Sequence, residues 1–519
     1  MRGKLACAFV LALLVHGAAV ASDRLAWFDG PRPTAQALQA IGLLTDAGSH
    51  GLDPAHYDAD ALKAAVLRAA QNPATSPSML DRLDRTLTAA MERYLADVHS
   101  GRLGPEQLPQ GYAPPRRPAF DAAAYLQGAL AADRLSDAAR EAAPRLGQYE
   151  RLRTALAHYR ALSGHPAWTA PLPPLPPGSG RTPPKLEAGQ SYAGLQMLRE
   201  RLVALGDLAP DAPATTGYDG PLVDAIVSFQ RRHGLTPDGV VGKATLAQLQ
   251  VPPAGRARQI ELMLERLRWT PLMQEPRMIA INIPEFVLRA YEVQGERIAV
   301  RATMKIIVGK AMNTRTPLFV EQMRFIEFQP YWNVPPSIAR GEVVPRLRRD
   351  TAYFDREGFE FVTAAGQVVT GLSAEMLDAV LAGAARIRQR PGPRNALGDI
   401  KFVFPNRDNI YLHHTPSVQL FARDRRDFSH GCIRVEEPVA LAMFVLQDMP
   451  QWTEERIRQA MTQGEPSTLR LARALPVLIT YGTAIFKEGR IHFFDDIYGH
   501  DRRLDAALRR PRPALLPTE

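Results

Sequence analysis

The sequence predicts a multidomain α+β protein: a helical N-terminal scaffold, a small three-helix domain, and a β-rich domain with an inserted capping flap. Three observations predict it. At 519 residues the chain exceeds what one hydrophobic core organises, which suggests about two to four domains. After Pro276 the apolar pattern changes from a helical period to alternation along strands. A Pro/Gly-rich stretch at 166–184 divides the helical part in two.

Residues 1–21 read as a signal peptide. Arg2 and Lys4 form a positive start, 5–15 an apolar run, and Ala19-Val20-Ala21 a small-x-small cleavage site. The run is short for a membrane span, and with no other long apolar run in the chain, a soluble exported protein is expected. From 22 to 165 the pattern is helical: Leu83, Leu87, Met91 and Leu95 form one apolar stripe, and Tyr149, Leu152, Leu156 and Tyr159 another. Asp46, His50, Asp53 and His56 are crowded, but loop and surface roles explain them better than a metal. The 166–184 linker is expected to be extended and poorly packed.

A small unit spans 185–252. Leu195, Leu198, Leu202 and Leu205 mark one amphipathic helix and Leu222, Ile226 and Phe229 a second, stopped by the turn at 234–239; 244–249 makes a third. The run from Gly217 through Ala225, Phe229-Gln230, Gly234-Leu235, Asp238-Gly239, Gly242 and Thr245-Leu246 resembles the peptidoglycan-binding type 1 domain family. Strand signals follow in 276–448: Ile279, Ile281 and Ile283 alternate, and 287–291, 298–308, 325–328, 400–404 and 410–413 are β-rich. Leu377, Val380, Leu381 and Ala384 read as helical, so about 350–393 is expected to be a flap over one face. The remaining segment, 449–519, contains late strands at 477–481 and 490–494 and is expected to return onto the scaffold.

The formal charge of +9 favours anionic surroundings such as a cell wall or membrane surface, or simply keeps an Arg-rich chain soluble. No zinc-finger spacing, P-loop or basic aromatic motif supports a nucleic-acid partner. Of the 2 cysteines, Cys7 would leave with the signal peptide. Cys432 would then be the lone thiol of an exported chain, either buried and inert or chemically used.

The segments Ile410-Tyr411-Leu412-His413-His414 and Ser429-His430-Gly431-Cys432-Ile433-Arg434 favour use. A nearby imidazole can take a thiol proton, and His413 ends a probable strand. Gly431 permits close backbone approach and exposed N–H groups that could hold an oxyanion. Arg434 could pair bidentately with a carboxylate. A zinc site built from His413, His414, His430 and Cys432 lacks the usual ligand separation. Tyr331, Trp332 and Asn333, in a loop stiffened by prolines, either wall the cleft or serve as core.

This arrangement resembles the YkuD-type L,D-transpeptidase family. The resemblance extends to Asn282-Ile283-Pro284, Ile307-Val308-Gly309, Pro330-Tyr331-Trp332-Asn333, Asn395-Ala396-Leu397-Gly398 and Asp495-Asp496-Ile497-Tyr498-Gly499, as in large Gram-negative YcbB-like members. It implies that Cys432 attacks, His413 is the base, the His414 carbonyl orients it, and His430 and Gly431 shape the site. Arg434, Ser429, Tyr411, Trp332, Tyr331 and Asn333 are the substrate-binding candidates. The implied reaction is acyl transfer between peptidoglycan stem peptides in the periplasm, with no metal or organic cofactor and with carbapenems as acylating inhibitors. Glycan strands and other cell-wall enzymes are the implied partners. Water as acceptor would make the protein an L,D-carboxypeptidase; attachment of protein to the wall and a non-catalytic wall-binding protein are the other readings. A papain-like thiol protease fits poorly, because the base precedes the nucleophile in a β-rich sequence.

Overall fold

Ser76 ends an extended segment and caps the longest helix, Pro77–Ser100, by accepting a hydrogen bond from the Met79 N–H. Pro77 sits in the first turn, where no backbone donor is lost. Leu80, Leu83, Leu87, Met91 and Leu95 lie on its buried face; each such side chain removed from water contributes about 1.5–3 kcal/mol. In this computed structural model the described residues are 26–107, 119–178, 180–271, 275–295, 297–312, 314–463 and 465–516. The expected signal peptide lies outside them.

The scaffold core joins Pro77–Ser100 to the helices Ala35–Thr45, Ala59–Gln71 and Gly147–Ala161, with a small hairpin of β1 (Phe28–Asp29) and β2 (Arg32–Pro33). A helix the sequence reading left unassigned, Pro253–Leu267, packs into the same core through Ala257, Ile260, Leu264 and Leu267. Its charged residues disguise it. Glu265 and Arg266 are buried, and their ion pairs with Arg268 and Asp501 offset the cost of desolvation.

The second unit has helices Leu195–Ala204, Gly220–Arg232 and Lys243–Gln250 around Leu198, Leu202, Leu222, Ile226, Phe229 and Leu249. Gln230 builds the turn after the second helix: its amide donates to Asp238 Oδ1 and Val240 O and accepts from the Gly239 N–H. The preceding linker corrects an expectation. Leu172 is buried in this unit's core, and the buried Arg201 guanidinium donates to the carbonyls of Ala167 and Ala170, so the first part of 166–184 is packed.

The third unit is a ring of strands. In chain order come β3 (Arg277–Asn282), β4 (Val287–Gln294), β5 (Arg297–Gly309), β6 (Phe319–Phe328), β7 (Trp332–Asn333), β8 (Phe359–Thr363), β9 (Val368–Val369), β10 (Ala385–Gln389), β11 (Ile400–Val403), β12 (Leu412–His413), β13 (Asp427–Ser429), β14 (Ile433–Val435) and β15 (Ser467–Thr480). One sheet runs β13-β5-β14-β12-β11-β6-β15-β3-β4, and β4 also pairs with β5, so the ladder closes on itself. Ile281, Leu288, Ile306, Ile326, Phe402, Leu412, Ile433 and Val477 fill the interior.

Two boundaries shift. The sheet extends beyond residue 448, because β15 lies between β6 and β3, pairing parallel with β3 from Val477↔Ile279 to Thr480↔Asn282. The helix His500–Leu508 covers the outer face there, so β15 is buried on both sides. Within the segment 449–519, the scaffold is met by the hairpin β16 (Ala484–Lys487) and β17 (Arg490–Phe493), through Ala484, Ile491 and Phe493, by the end of the helix His500–Leu508, where Arg102 donates to Leu508 O, and by the tail, where Arg512 pairs with buried Asp97. The flap also begins earlier than residue 350. Strands β7-β10-β8-β9 form its own sheet, and its core runs from Val334 through Leu347, Phe354 and Phe361 to Ile387. Asn395, buried at the flap's base, donates to Pro330 O and Arg390 O and accepts from the Leu397 N–H, tying the two connecting strands together.

Candidate active site

Parallel strands β12 and β14 lie side by side, with Leu412 opposite Ile433 and His413 opposite Arg434. Successive residues of a strand face opposite sides. Leu412 and Ile433 point into the core, so His413 and Arg434 share the other face. Tyr411 precedes Leu412 and Cys432 precedes Ile433, and the Ile433 N–H donates to Tyr411 O at 3.0 Å, extending the register to that pair. Alternation therefore gathers Tyr411, His413, Cys432 and Arg434 on one face. Antiparallel β11 adds Lys401, opposite His413 and opposite Glu327 of β6.

His413 is buried, and its Nδ1 lies 2.5 Å from the His414 carbonyl oxygen. A carbonyl only accepts, so Nδ1 carries the proton and Nε2 is left with its lone pair. Burial, reinforced by the Arg434 charge, lowers the His413 pKa to about 3. Burial raises the Cys432 thiol above its ordinary value, against the opposing influence of Tyr411, Lys401 and Arg434. The resting site thus holds a neutral thiol beside a neutral imidazole. The thiol donates weakly to Asn409 O at 3.6 Å.

The turn carrying Cys432 is pinned by several hydrogen bonds. Ser429 O accepts from the Lys310 N–H and the Thr314 hydroxyl, both at 3.0 Å. Ser429 Oγ donates to Cys432 O at 2.5 Å and accepts from the Gly431 N–H at 3.2 Å. Gly431 has φ +117°, a conformation that side chains disfavour. Ser429 is buried, and its hydroxyl is engaged within the turn. The Gly431 N–H is engaged there as well.

Comparison with known proteins fits this geometry. Residues 276–453 match the family model described as the L,D-transpeptidase catalytic domain, YkuD. Residues 20–156 match a model described as a scaffold domain, and 191–249 one described as a putative peptidoglycan binding domain. A Haemophilus influenzae protein named putative L,D-transpeptidase is 31% identical over 250 residues, covering 48% of this chain and 49% of the relative. The chain thus matches about half the length of that curated relative. Among solved structures, an L,D-transpeptidase from Xylanimonas cellulosilytica (residues 123-326) shows 17% identity and a TM-score of 0.17, covering 58% of this chain and 100% of that one. Bdellovibrio bacteriovorus Bd1075 shows 16% identity and a TM-score of 0.17, over 45% and 55%. Superpositions this loose carry no argument.

The other candidates of the YkuD domain fall into two groups. Tyr411 stays beside the thiol: its ring meets the His413 ring at 5.8 Å, and the Lys401 ammonium lies 4.5 Å from its centroid. Arg434 lines the same face, and among the described residues its buried Nε has no hydrogen-bond partner. The His414 carbonyl accepts from His413 Nδ1, and the His414 ring lies 3.4 Å from Asp399. His430 instead turns toward the flap, where its Nε2 meets Glu342 Oε1 at 2.6 Å. Tyr331, Trp332 and Asn333 also belong to the flap. Tyr331 lies under the Arg388 guanidinium, Trp332 packs on the flap core, and Asn333 is exposed opposite Arg388.

Sequence reasoning missed Lys401 and Glu327 on neighbouring strands, Glu342 on a flap helix and Thr316 in a loop, none of which belongs to the motifs around His413 and Cys432. Tyr498 stood within a quoted motif but had no assigned role. At the scaffold, His50 is buried rather than at the surface, with Nδ1 3.0 Å from the Tyr149 hydroxyl. No helix among the described residues is long and apolar enough to cross a membrane.

Proposed function

We propose that the chain is an exported, periplasmic L,D-transpeptidase that forms peptidoglycan cross-links between third-position stem residues through a thioester on Cys432. The observation that carries this is the shared face of Cys432 and His413, with Nδ1–H fixed on the His414 carbonyl and Nε2 left as a base.

Cys432 Sγ attacks the carbonyl carbon of the donor stem's third residue while its proton passes to His413 Nε2. The C–N bond to the terminal D-alanine breaks, and His413 returns the proton to the leaving amine. A thioester remains. The side-chain amine of an acceptor stem's third residue then attacks and gives its surplus proton to His413; the C–S bond breaks as the new amide forms, and the Cys432 sulfur takes that proton back from His413. Arg434, with an unpartnered Nε on this face, is suited to a substrate carboxylate. The 191–249 unit supports glycan strands as partners. With water as acceptor the same thioester would give L,D-carboxypeptidase products.

The test is intact-mass spectrometry of the protein with a carbapenem, beside Cys432→Ala, followed by product analysis with disaccharide-tetrapeptides. An adduct on wild type only, with cross-linked dimers, is the expected result. An adduct with only shortened stems would favour the carboxypeptidase. No adduct on a folded wild type would favour a wall-binding protein.

A further inference from the structure

The C-terminal segment reaches the nucleophile through two hydroxyl groups. Tyr498 is buried, and its hydroxyl donates to Gly309 O at 2.5 Å while accepting from the Thr316 N–H at 3.2 Å. Thr316, also buried, donates its own hydroxyl to Gly431 O at 2.7 Å and accepts from the Gly309 N–H at 2.9 Å. Tyr498 is held in turn: its N–H donates to the Tyr481 hydroxyl at 2.9 Å, which donates to Asp496 Oδ1 at 2.7 Å. The loop between Gly309 and Thr316 can fold this closely only because Gly309 lacks a side chain; a Cβ there would fall 1.8 Å from Thr314 O.

Gly431 O and the Cys432 N–H belong to one peptide unit. That unit is planar and trans, so its C=O and N–H point in opposite directions. Holding Gly431 O on buried Thr316 therefore turns the Cys432 N–H away from the interior, on the residue whose sulfur attacks. An N–H in that position meets the negative oxygen that develops on the attacked carbonyl.

We propose that Tyr498 and Thr316 are positioning residues that aim the Cys432 N–H as an oxyanion donor, so that the segment beyond residue 453 completes the active site of the YkuD domain. This rests on the acyl-transfer reading above. Tyr498 acts on Thr316, Thr316 on the peptide, and neither needs to touch the substrate.

Two reactions of the same thiol separate this role from general support. Alkylation by iodoacetamide displaces iodide and forms no oxyanion. Acylation by a carbapenem opens the lactam through a tetrahedral oxyanion. Both are measured on the full chain for wild type, Tyr498→Phe, Thr316→Val and Thr316→Ser. Thr316→Val keeps the side-chain shape and guards against Tyr498→Phe failing to fold. Acylation should slow roughly tenfold to a hundredfold in Tyr498→Phe and Thr316→Val, with alkylation nearly unchanged and Thr316→Ser close to wild type. Equal loss of both reactions, or unchanged acylation in Thr316→Val, overturns the proposal. A wild type that is alkylated at Cys432 but never acylated overturns the acyl-transfer reading itself.

Discussion

His413 and Arg434 stand directly opposite one another in the parallel β12–β14 ladder, so a permanent positive charge lies beside a buried imidazole. Burial, reinforced by that charge, lowers the imidazole pKa to about 3. It also keeps an arginine fork at the nucleophile, two residues beyond Cys432.

The first consequence concerns the thiol. A preformed thiolate–imidazolium pair would react at constant rate from about pH 5 to about pH 7. Here burial holds the thiol above its ordinary value and the imidazole near 3. Alkylation of Cys432 should therefore rise steadily with pH through and beyond the usual thiol range. A plateau on the acid side in a stopped-time alkylation profile would contradict this.

Arg434→Met removes the unpartnered fork without placing a new charge in the site. The kcat/KM for a tetrapeptide donor should fall roughly tenfold or more, since hydrogen bonds to charged groups contribute about 1.5–3 kcal/mol. Arg434→Lys should restore only part of it, because an ammonium cannot pair bidentately. Full activity in the lysine variant would mean that the charge, and not the fork, is what matters.

The His430–Glu342 contact joins the nucleophile turn to the flap at its exposed edge. Exposed pairs of this kind contribute about 0–1 kcal/mol. Glu342→Gln should leave the urea midpoint almost unchanged while hastening backbone amide exchange in the flap. Exchange at the wild-type rate would show that the pair does not restrain the flap.

Stability should fall as the solution is acidified from neutrality. Burial lowers His50, His413 and His500 to about 3 and His492 to about 4, from an ordinary 6.5. Below the unfolded value the unfolded chain binds protons that the fold excludes, so stability is full above about pH 6.5 and is lost progressively as pH falls toward about 3. Each excess proton steepens the loss by about 1.4 kcal/mol per pH unit. Urea midpoints at pH 7 and pH 5 measure this, and equal midpoints would mean that these imidazoles titrate within the folded protein.

Much of this protein is legible in its sequence. Regular spacing of Leu83, Leu87, Met91 and Leu95 is a direct image of one buried helix face. The alternation of Ile279 and Ile281 likewise marks β3. Cys432, His413 and the His414 carbonyl are neighbours of short motifs, so their chemistry could be read locally. Elements that bury charge were harder. Pro253–Leu267 is amphipathic only once its arginines and glutamate are paired with residues far along the chain.

By itself, the sequence determined the helical scaffold, the three-helix unit, the β-rich domain and the two motifs that carry His413 and Cys432, because each is written as a local period or a short motif. Tertiary structure alone decided that β15 completes the catalytic ring, that Ser429 faces inward and His430 faces the flap, and that Tyr498 reaches Thr316 and, through it, Gly431. Those relations depend on hydrogen bonds between residues far apart in the chain, 189 positions in the case of Tyr498 and Gly309. No local pattern encodes such a pairing; it exists only once the ring of strands has closed.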